Sequence, residues 1–148
     1  MIKKQIVYVD MDGVICNFNK DYKLALGNNP LQPFPQSQWG FFLNLEEMPY
    51  AVDSFKKLQE KYDVYILTRP SIWNLNCYTE KAAWVLKHLG LEVLEKTILS
   101  CDKSLLKGHY LIDDNIGDGQ LDFEGELIEF GSLKFPNWNY VVEYLMNK

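Results

Sequence analysis

Residues 6–14, with the sequence Ile-Val-Tyr-Val-Asp-Met-Asp-Gly-Val, constrain the fold of this chain more than any other segment. The first four are apolar or β-favouring, and so short a β-branched run predicts a buried strand. Asp10 and Asp12 follow, and because residues i and i+2 share one face of an extended chain, both carboxylates are expected to point into one small volume. Close carboxylates repel each other, so burying them requires a proton or a cation. An ordinary Asp-Gly turn also fits this segment alone, so the choice depends on residues further along.

The size and charge of the chain limit what it can bind. Its 148 residues suffice for one domain, residues 1–148, and the hydrophobic fraction of 47% is typical of a compact globule. The net charge of −5, without a basic run, argues against binding a nucleic-acid polymer or an anionic membrane. A small anionic substrate is still compatible with this charge if cationic side chains gather at one point.

The cysteines and histidines do not indicate a disulfide framework or a zinc site. Cys16, Cys77 and Cys101 are odd in number and form no C-x-x-C pair, so reduced, mostly buried thiols are expected. His88 and His109 are isolated, and we expect both to be structural. The apolar run near the N-terminus is cut off by the first aspartate of the motif, which is too early for a signal peptide, so a cytoplasmic location is expected.

The rest of the chain alternates helical and extended patterns. A helix is predicted over residues 14–26, and a proline-rich stretch and an aromatic cluster follow it, so residues 17–48 are expected to form a small helical cap inserted after the first strand. The alternation predicts an α/β fold, in which a doubly wound parallel sheet is covered on both faces. The other predicted elements are helices over 49–61, over 79–88 with Thr79 as the cap, and over 137–146, and strands over 63–67, 97–99, 109–112 and 126–130.

Side chains suited to phosphate chemistry follow the predicted strands, at the edge where open parallel sheets carry their working sites. Several carboxylates around one point need a hard divalent cation, and Mg²⁺ fits because it takes a few carboxylates together with phosphate and water. A threonine hydroxyl and a lysine ammonium can hold phosphate oxygens, and a carboxylate can then attack the phosphorus to form an aspartyl-phosphate. The residues concerned are Asp10, Asp12, Thr68, Lys103, Asp113 and Asp114.

In this order, these residues resemble the four motifs of the haloacid dehalogenase-like (HAD) phosphohydrolases. The motifs are Asp-Met-Asp-Gly-Val at 10–14, Thr68, Lys103 and Ile-Asp-Asp at 112–114. The resemblance implies a Rossmann-like core with Asp10 as the nucleophile. It implies that Asp12 protonates the leaving alcohol and later activates water, and that Thr68 and Lys103 hold the phosphoryl group.

The same resemblance implies a magnesium site. The ion would be held by Asp10, by the backbone carbonyl of Asp12 and by one carboxylate of the pair Asp113 and Asp114. We expect Asp114 to be the direct ligand, with Asp113 or Asp118 supporting it, although the sequence leaves the choice within the pair open.

A longer resemblance points to the 5'(3')-deoxyribonucleotidase branch of this family. It extends over most of residues 6–118 and implies a deoxyribonucleoside monophosphate as the small-molecule substrate. Lys81 and Arg69 join the candidates for holding its phosphate. Cap aromatic side chains would enclose the nucleobase, and the candidates for this wall are Phe18, Trp39, Phe41 and Phe42.

Some questions stay open at the level of sequence. Arg69 and Asn115 stand where other members of the branch carry different residues, and the cap is short, so the base and sugar preference is undecided. A HAD phosphatase for another small phosphate ester, such as a sugar phosphate, is the alternative enzyme. A receiver-type signalling domain also gathers acids, a threonine and a lysine, but receivers place the double acid on the first strand, and here it comes last. A further alternative is a binding protein that has lost catalysis. The preference for a 5' or a 3' phosphate and the choice between a monomer and a homodimer are also left open.

Overall fold

The computed structural model describes residues 2–148, and within them it contains one five-stranded parallel sheet with the strand order β3-β2-β1-β4-β5. This confirms the predicted α/β class and puts β1 at the centre, paired with β2 on one side and β4 on the other. The strands are β1 (Ile6–Val9), β2 (Asp63–Thr68), β3 (Thr97–Leu99), β4 (Tyr110–Asp113) and β5 (Glu126–Glu129). The α-helices are α1 (Phe18–Asn28), α2 (Ala51–Gln59), α3 (Asn76–Leu89), α4 (Leu91–Leu94) and α5 (Trp138–Met146).

The two faces of the sheet are covered differently. Val7 and Val9 of β1 belong to the large core, which also contains buried side chains of α2, α3, α4 and α5. Tyr8 points to the opposite face, as the alternation of side chains along a strand requires, and its hydroxyl donates to the carbonyl of Lys107 at 2.7 Å. That face carries a smaller cluster covered by two 3-10 turns, at Lys103–Leu105 and Gln120–Asp122. The short turn segments bring polar side chains close to the strand ends.

The predicted helix over residues 14–26 is wrong at its beginning. The N–H groups of residues 14–16 all donate to the carbonyl of Met11, at 2.8–3.1 Å, so the chain leaves β1 through a compact turn. Helix α1 begins only at Phe18, after Asn17, whose side chain accepts a hydrogen bond from the N–H of Lys20. Val14 is buried in the core from this turn, and its spacing from Phe18 and Tyr22 was mistaken for part of a helical face.

The predicted cap at Thr79 is also wrong, because α3 begins at Asn76, before Thr79. Asn74 organises the turn before it: its carbonyl accepts from the N–H of Cys77 at 2.9 Å and its side chain from the N–H of Asn76 at 3.2 Å. The other boundaries shift by one to a few residues. Helix α2 begins after Tyr50, whose φ of 63° lies outside the helical region.

The segment expected to form the cap contributes α1 and the short 3-10 helix Pro35–Ser37, and it lies against the carboxyl end of the sheet. Its two ends are tied together by the ion pair between Lys20 and Glu46, at 2.6 Å. Its division from the rest of the chain stays a prediction.

The cysteines and histidines have the structural surroundings that the sequence predicted. All three cysteines are free thiols, and Cys16 and Cys77 are buried. His109 accepts a hydrogen bond from the N–H of Ile6 through Nδ1, at 3.0 Å, and thereby joins β1 to the approach to β4. Among residues 2–148, no helix is both long and apolar enough to cross a membrane.

Trp138 fastens α5 to the turn that follows β1. Its ring is fully buried against Phe130, and its Nε1–H donates to the carbonyl of Val14 at 2.8 Å. Because the change to alanine leaves a large cavity and an unpaired carbonyl, we expect Trp138→Ala to lower the free energy of unfolding by about 3–5 kcal/mol. Tyr140→Ala, on the exposed side of the same helix, is expected to change it by less than about 0.5 kcal/mol in the same urea titration. Equal losses would contradict this role of Trp138.

Candidate active site

Asp10 lies directly beyond β1 and is paired with a buried lysine. Its N–H still donates to the carbonyl of Ile112 in β4, at 2.9 Å, so the backbone of Asp10 is fixed to the sheet. The ammonium of Lys103, whose side chain is only 1% exposed, donates to Asp10 Oδ1 at 2.8 Å and to Asp113 Oδ2 at 2.6 Å. Burial, reinforced by the charges of Asp113 and Asp12, raises the pKa of Asp10 well above its ordinary value, although Lys103 opposes the shift.

Asp12 is paired with a different buried lysine. The ammonium of Lys81, on α3, donates to Asp12 Oδ2 at 3.0 Å, to Thr68 Oγ1 at 2.6 Å and to the carbonyl of Arg69 at 2.7 Å. Burial is the largest single influence and would lower the pKa of Lys81, but the charges of Asp12 and other nearby anionic groups, together with the hydrogen bond to Asp12, outweigh it and raise that pKa. Among the described residues, Asp12 Oδ1 is buried without a hydrogen-bond partner. Asp12 therefore has one oxygen held by Lys81 and one buried oxygen without a partner among residues 2–148.

Asp113 is a structural anchor whose oxygens are already in use. It is fully buried, and its Oδ2 accepts from Lys103 and from Gln120 Nε2, the latter at 3.1 Å. Its Oδ1 accepts from the N–H of Asn115 at 3.0 Å. These three hydrogen bonds fix the loop after β4 and leave Asp113 with little capacity to bind anything else.

Asp114 differs from Asp113 in its exposure to solvent. Its carboxylate is exposed and faces Gly13, where an added Cβ would lie 2.0 Å from Asp114 Oδ2. Gly13 also has a φ of 81°, a conformation that favours glycine. Partial desolvation and the charge of Asp113 raise the pKa of Asp114 to about 6. The glycine of the first motif is thus required by the close approach of the last motif's carboxylate.

Arg69 spans from the end of β2 to the loop after β4. Its guanidinium pairs with the carboxylate of Asp118, which also accepts from Asn115 Nδ2 at 3.3 Å. The backbone of Asp118 binds the same network, because its carbonyl accepts from the N–H of Lys103 at 2.8 Å. Arg69 therefore holds the loop that positions Lys103.

These side chains surround a cavity of about 400 Å³, a size typical of small-molecule sites. Thr68 and Lys81 are fully buried and lie behind Asp12. The cap side of the cavity is formed by Phe18, Asn19, Gln36 and Phe42, and the core side by Asp10, Asp12, Gly13, Arg69, Pro70, Ser71, Lys103, Asp113, Asp114, Asn115 and Asp118.

The charges around the cavity suit a divalent cation. Five carboxylates line it, and three cationic side chains pair with them, which leaves a formal charge of −2. Oxygen atoms of Asp10, Asp113 and Asp114 lie within 4.8 Å of one another, as the ligands of one ion would. Carboxylate oxygens are the ligands that hard cations prefer, so this donor set fits Mg²⁺ in charge and chemistry.

The four aromatic side chains proposed for the base wall lie in different places. Phe18 and Phe42 line the cavity, with their ring centroids 6.2 Å apart. Phe41 packs edge-on against both of these rings. Trp39 is 83% exposed and lies away from the cavity lining. Two rings of the cap, those of Phe18 and Phe42, therefore line the cavity, and a third, that of Phe41, packs against both of them.

Two polar residues at the site carried no signal in the sequence. Gln120 joins Asp113 to the N–H of Asp118, and Glu80 holds the backbone of the cap segment. No role was predicted for either residue, although Glu80 lies directly before Lys81, and it is their burial in the folded chain that distinguishes them. Gly119, directly before Gln120, has a φ of 89°, and a Cβ there would lie 2.3 Å from Asp102 Oδ1, so the turn that positions Gln120 requires glycine.

Sequence comparison relates the chain to one family. The family model described as 5' nucleotidase, deoxy (pyrimidine), cytosolic type C protein matches residues 27–133. A Vibrio phage KVP40 protein, provisionally named a 5'(3')-deoxyribonucleotidase, is 35% identical over 98% of this chain and 86% of its own length. The human cytosolic 5'(3')-deoxyribonucleotidase is 30% identical over 77% of this chain and 72% of its own length. The human mitochondrial enzyme is 32% identical over 73% of this chain and 61% of its own length. Because the relatives carry both location names, a cytoplasmic location stays a prediction.

Comparison of structures supports the fold alone. YfnB of Bacillus subtilis, provisionally assigned as a HAD hydrolase and solved with magnesium bound, has a TM-score of 0.66 and 12% identity, covering 97% of this chain and 99% of that one. L-2-haloacid dehalogenase of Xanthobacter autotrophicus has a TM-score of 0.58 and 12% identity, and the match covers 99% of this chain and 83% of the dehalogenase.

Gly13 offers a test of the contact between the first and last motifs. We expect millimolar MgCl2 to raise the thermal midpoint of the wild type but not that of Gly13→Ala, because the added methyl group would displace the Asp114 carboxylate. Gly131→Ala is the matched control, because Gly131 has a φ of 89° and open space around it, so it carries the same strain without the clash. Loss of the magnesium effect in both variants would contradict a specific role of the Gly13–Asp114 contact.

Proposed function

The chain belongs to the 5'(3')-deoxyribonucleotidase family of HAD-like hydrolases and is therefore a phosphoric monoester hydrolase, and we propose that it releases phosphate from deoxyribonucleoside monophosphates through an aspartyl-phosphate on Asp10. The observation that carries this proposal is the pairing of two adjacent acids with two separate buried lysines. The pairing makes Asp10 and Asp12 chemically different although they are two residues apart. One is then suited to attack phosphorus and the other to transfer protons.

Mg²⁺ is the proposed cofactor. The residues that would hold it are the carboxylates of Asp10 and Asp114, together with the backbone carbonyl of Asp12. Asp113 is assigned to support, because its oxygens already accept three hydrogen bonds. When bound, the ion would neutralise phosphate charge and lower the pKa of Asp10, which favours its ionised, nucleophilic form.

Asp10 is the proposed nucleophile. Lys103 holds its Oδ1, which leaves Oδ2 to attack phosphorus. As the new bond forms, the bond from phosphorus to the leaving oxygen breaks, and its electron pair goes to that oxygen. Lys103 is also close enough to the reacting group to stabilise its negative charge.

Asp12 is the proposed acid and base. Lys81 holds its Oδ2, and because Asp12 lines the cavity, its carboxyl group can carry the proton that the leaving alcohol takes up. The resulting carboxylate then accepts a proton from water as the water attacks phosphorus. The bond between phosphorus and Asp10 Oδ2 breaks, its electron pair returns to the Asp10 carboxylate, and inorganic phosphate is released.

Lys103 and Arg69 line the cavity and are the proposed contacts of the phosphate oxygens. Thr68 and Lys81, which are fully buried behind Asp12, are proposed to support the phosphate end by holding Asp12 in place.

The base wall is assigned to Phe18 and Phe42, because both rings line the cavity. Phe41 would act through these two rings, since it packs against them. The exposure of Trp39 supports no direct contact with a base inside this cavity. Stacking on an aromatic ring tolerates different bases, so this wall favours nucleotides over phosphates that lack a base.

A substrate panel tests the proposed reaction. We expect the purified protein to release inorganic phosphate from dUMP or dTMP with MgCl2, and to stop when EDTA removes the metal. Asp10→Asn keeps the size of the side chain but lacks the nucleophilic carboxylate, so its rate is expected to fall at least about a thousandfold. Equal phosphate release by the wild type and Asp10→Asn would exclude Asp10 as the nucleophile.

A second variant separates metal binding from proton transfer. We expect Asp12→Ala to retain Mg²⁺ binding, because the proposed ligand is its backbone, yet to lose about 10²–10⁴-fold in kcat, the usual contribution of general acid–base catalysis. Isothermal titration with MgCl2 and a phosphate-release assay measure the two effects separately. Turnover near the wild-type rate would contradict the acid–base role.

A further inference from the structure

Glu80 is a buried carboxylate that has no part in the proposed chemistry. Its side chain lies on α3, immediately before Lys81, and the residue is only 8% exposed. Its two oxygens accept hydrogen bonds from the backbone N–H groups of Gly40 and Phe42, the latter at 3.2 Å. A buried carboxylate is costly unless such donors compensate it, so this arrangement ties α3 to one specific cap segment.

Further contacts run along the same face of α3 at four-residue intervals. The Nε1–H of Trp84 donates to the carbonyl of Leu45 at 2.8 Å, and His88 Nδ1 contacts Glu47 Oε1 at 2.7 Å. Residues four apart share one face of a helix, so one face of α3 contacts residues 40–47 along their length. Of these three attachments, only that of Glu80 ends on a residue that lines the cavity, Phe42.

One turn of α3 contacts both the aromatic side of the cavity and the side that would hold the phosphate. Glu80 fixes the backbone of Phe42, and Lys81 fixes Asp12 and Thr68. The Phe42 ring lies 5.3 Å from the Lys81 ammonium, within the range of a cation–π contact. Two consecutive helical residues therefore set the distance between the aromatic wall and the phosphate end of the cavity.

We propose that Glu80 is a positioning residue for base recognition, acting through Phe42. The proposal rests on the proposed function, because it assigns Phe42 to the nucleobase. Without the two hydrogen bonds, the cap segment at residues 40–42 would lose its fixed distance from Lys81. The ring would then stack less well on the base, whereas the phosphate contacts would be unchanged.

The test compares dUMP with deoxyribose 5-phosphate, which has the same phosphate and sugar but no base. In Glu80→Ala, we expect KM for dUMP to rise about tenfold, corresponding to about 1.4 kcal/mol, with KM for deoxyribose 5-phosphate within about twofold of wild type. Glu80→Gln retains one acceptor oxygen and is expected to be intermediate. Hydrogen exchange at the amides of Gly40 and Phe42 should accelerate in Glu80→Ala, and this measurement requires no activity.

Two further variants make the result decisive. His88→Ala is the matched control, because it removes a contact on the same face of the helix that ends outside the cavity. The ratio of its KM for deoxyribose 5-phosphate to its KM for dUMP should equal that of the wild type. In a double-variant cycle, Glu80→Ala should add nothing to Phe42→Ala, since one acts through the other.

The outcomes separate the two proposals. A wild-type protein without preference for dUMP over deoxyribose 5-phosphate contradicts the proposed function. A wild type that prefers dUMP, together with Glu80→Ala that keeps this preference, contradicts only the role of Glu80. Equal rises in KM for both substrates, or additive effects with Phe42→Ala, would show that Glu80 merely supports the fold.

Discussion

The site depends on two buried ammonium groups. Lys81 and Lys103 are each 1% exposed, and burial at that depth is tolerable only because carboxylates and other acceptors surround their charges. The same pairing allows Asp10 and Asp12 to lie two residues apart at the end of a buried strand. Neither lysine is local to the acids, since one comes from α3 and the other from the turn after β3. The active arrangement therefore exists only once both segments have docked on β1.

Helix α3 connects the acids beyond β1 to the cap segment. One of its turns supplies Lys81 to the acids and Glu80 to the cap, and the next turns hold the cap at Leu45 and Glu47. A small chain has few elements with which to enclose a substrate, and here one helix supports both walls of the cavity. The loop after β4 has the corresponding function on the other side, where Asp118 and Gln120 join Arg69 to the surroundings of Lys103.

The sequence was informative where its signal was local or ordered along the chain. The run before Asp10 predicted β1, the alternation of patterns predicted the α/β class, and the order of the motifs indicated the family that the comparisons then showed. It was misleading at Val14, which has helical spacing from Phe18 and Tyr22 but enters the core from a turn rather than from a helix. The start of α3 was misplaced for a related reason, because Asn74 organises the turn before it and Thr79 does not cap the helix.

By itself, the sequence determined which residue types gather at the carboxyl edge of the sheet, because parallel strands must end together and the acids, threonine and lysine follow those ends. Only the tertiary structure decided how these residues differ. It gave Asp10 and Asp12 different lysines, saturated Asp113 with hydrogen bonds, left Asp114 exposed against Gly13, and assigned Phe18 and Phe42, rather than Trp39, to the cavity. These distinctions come from burial and from contacts between residues far apart in the chain, and no local pattern of side chains encodes either.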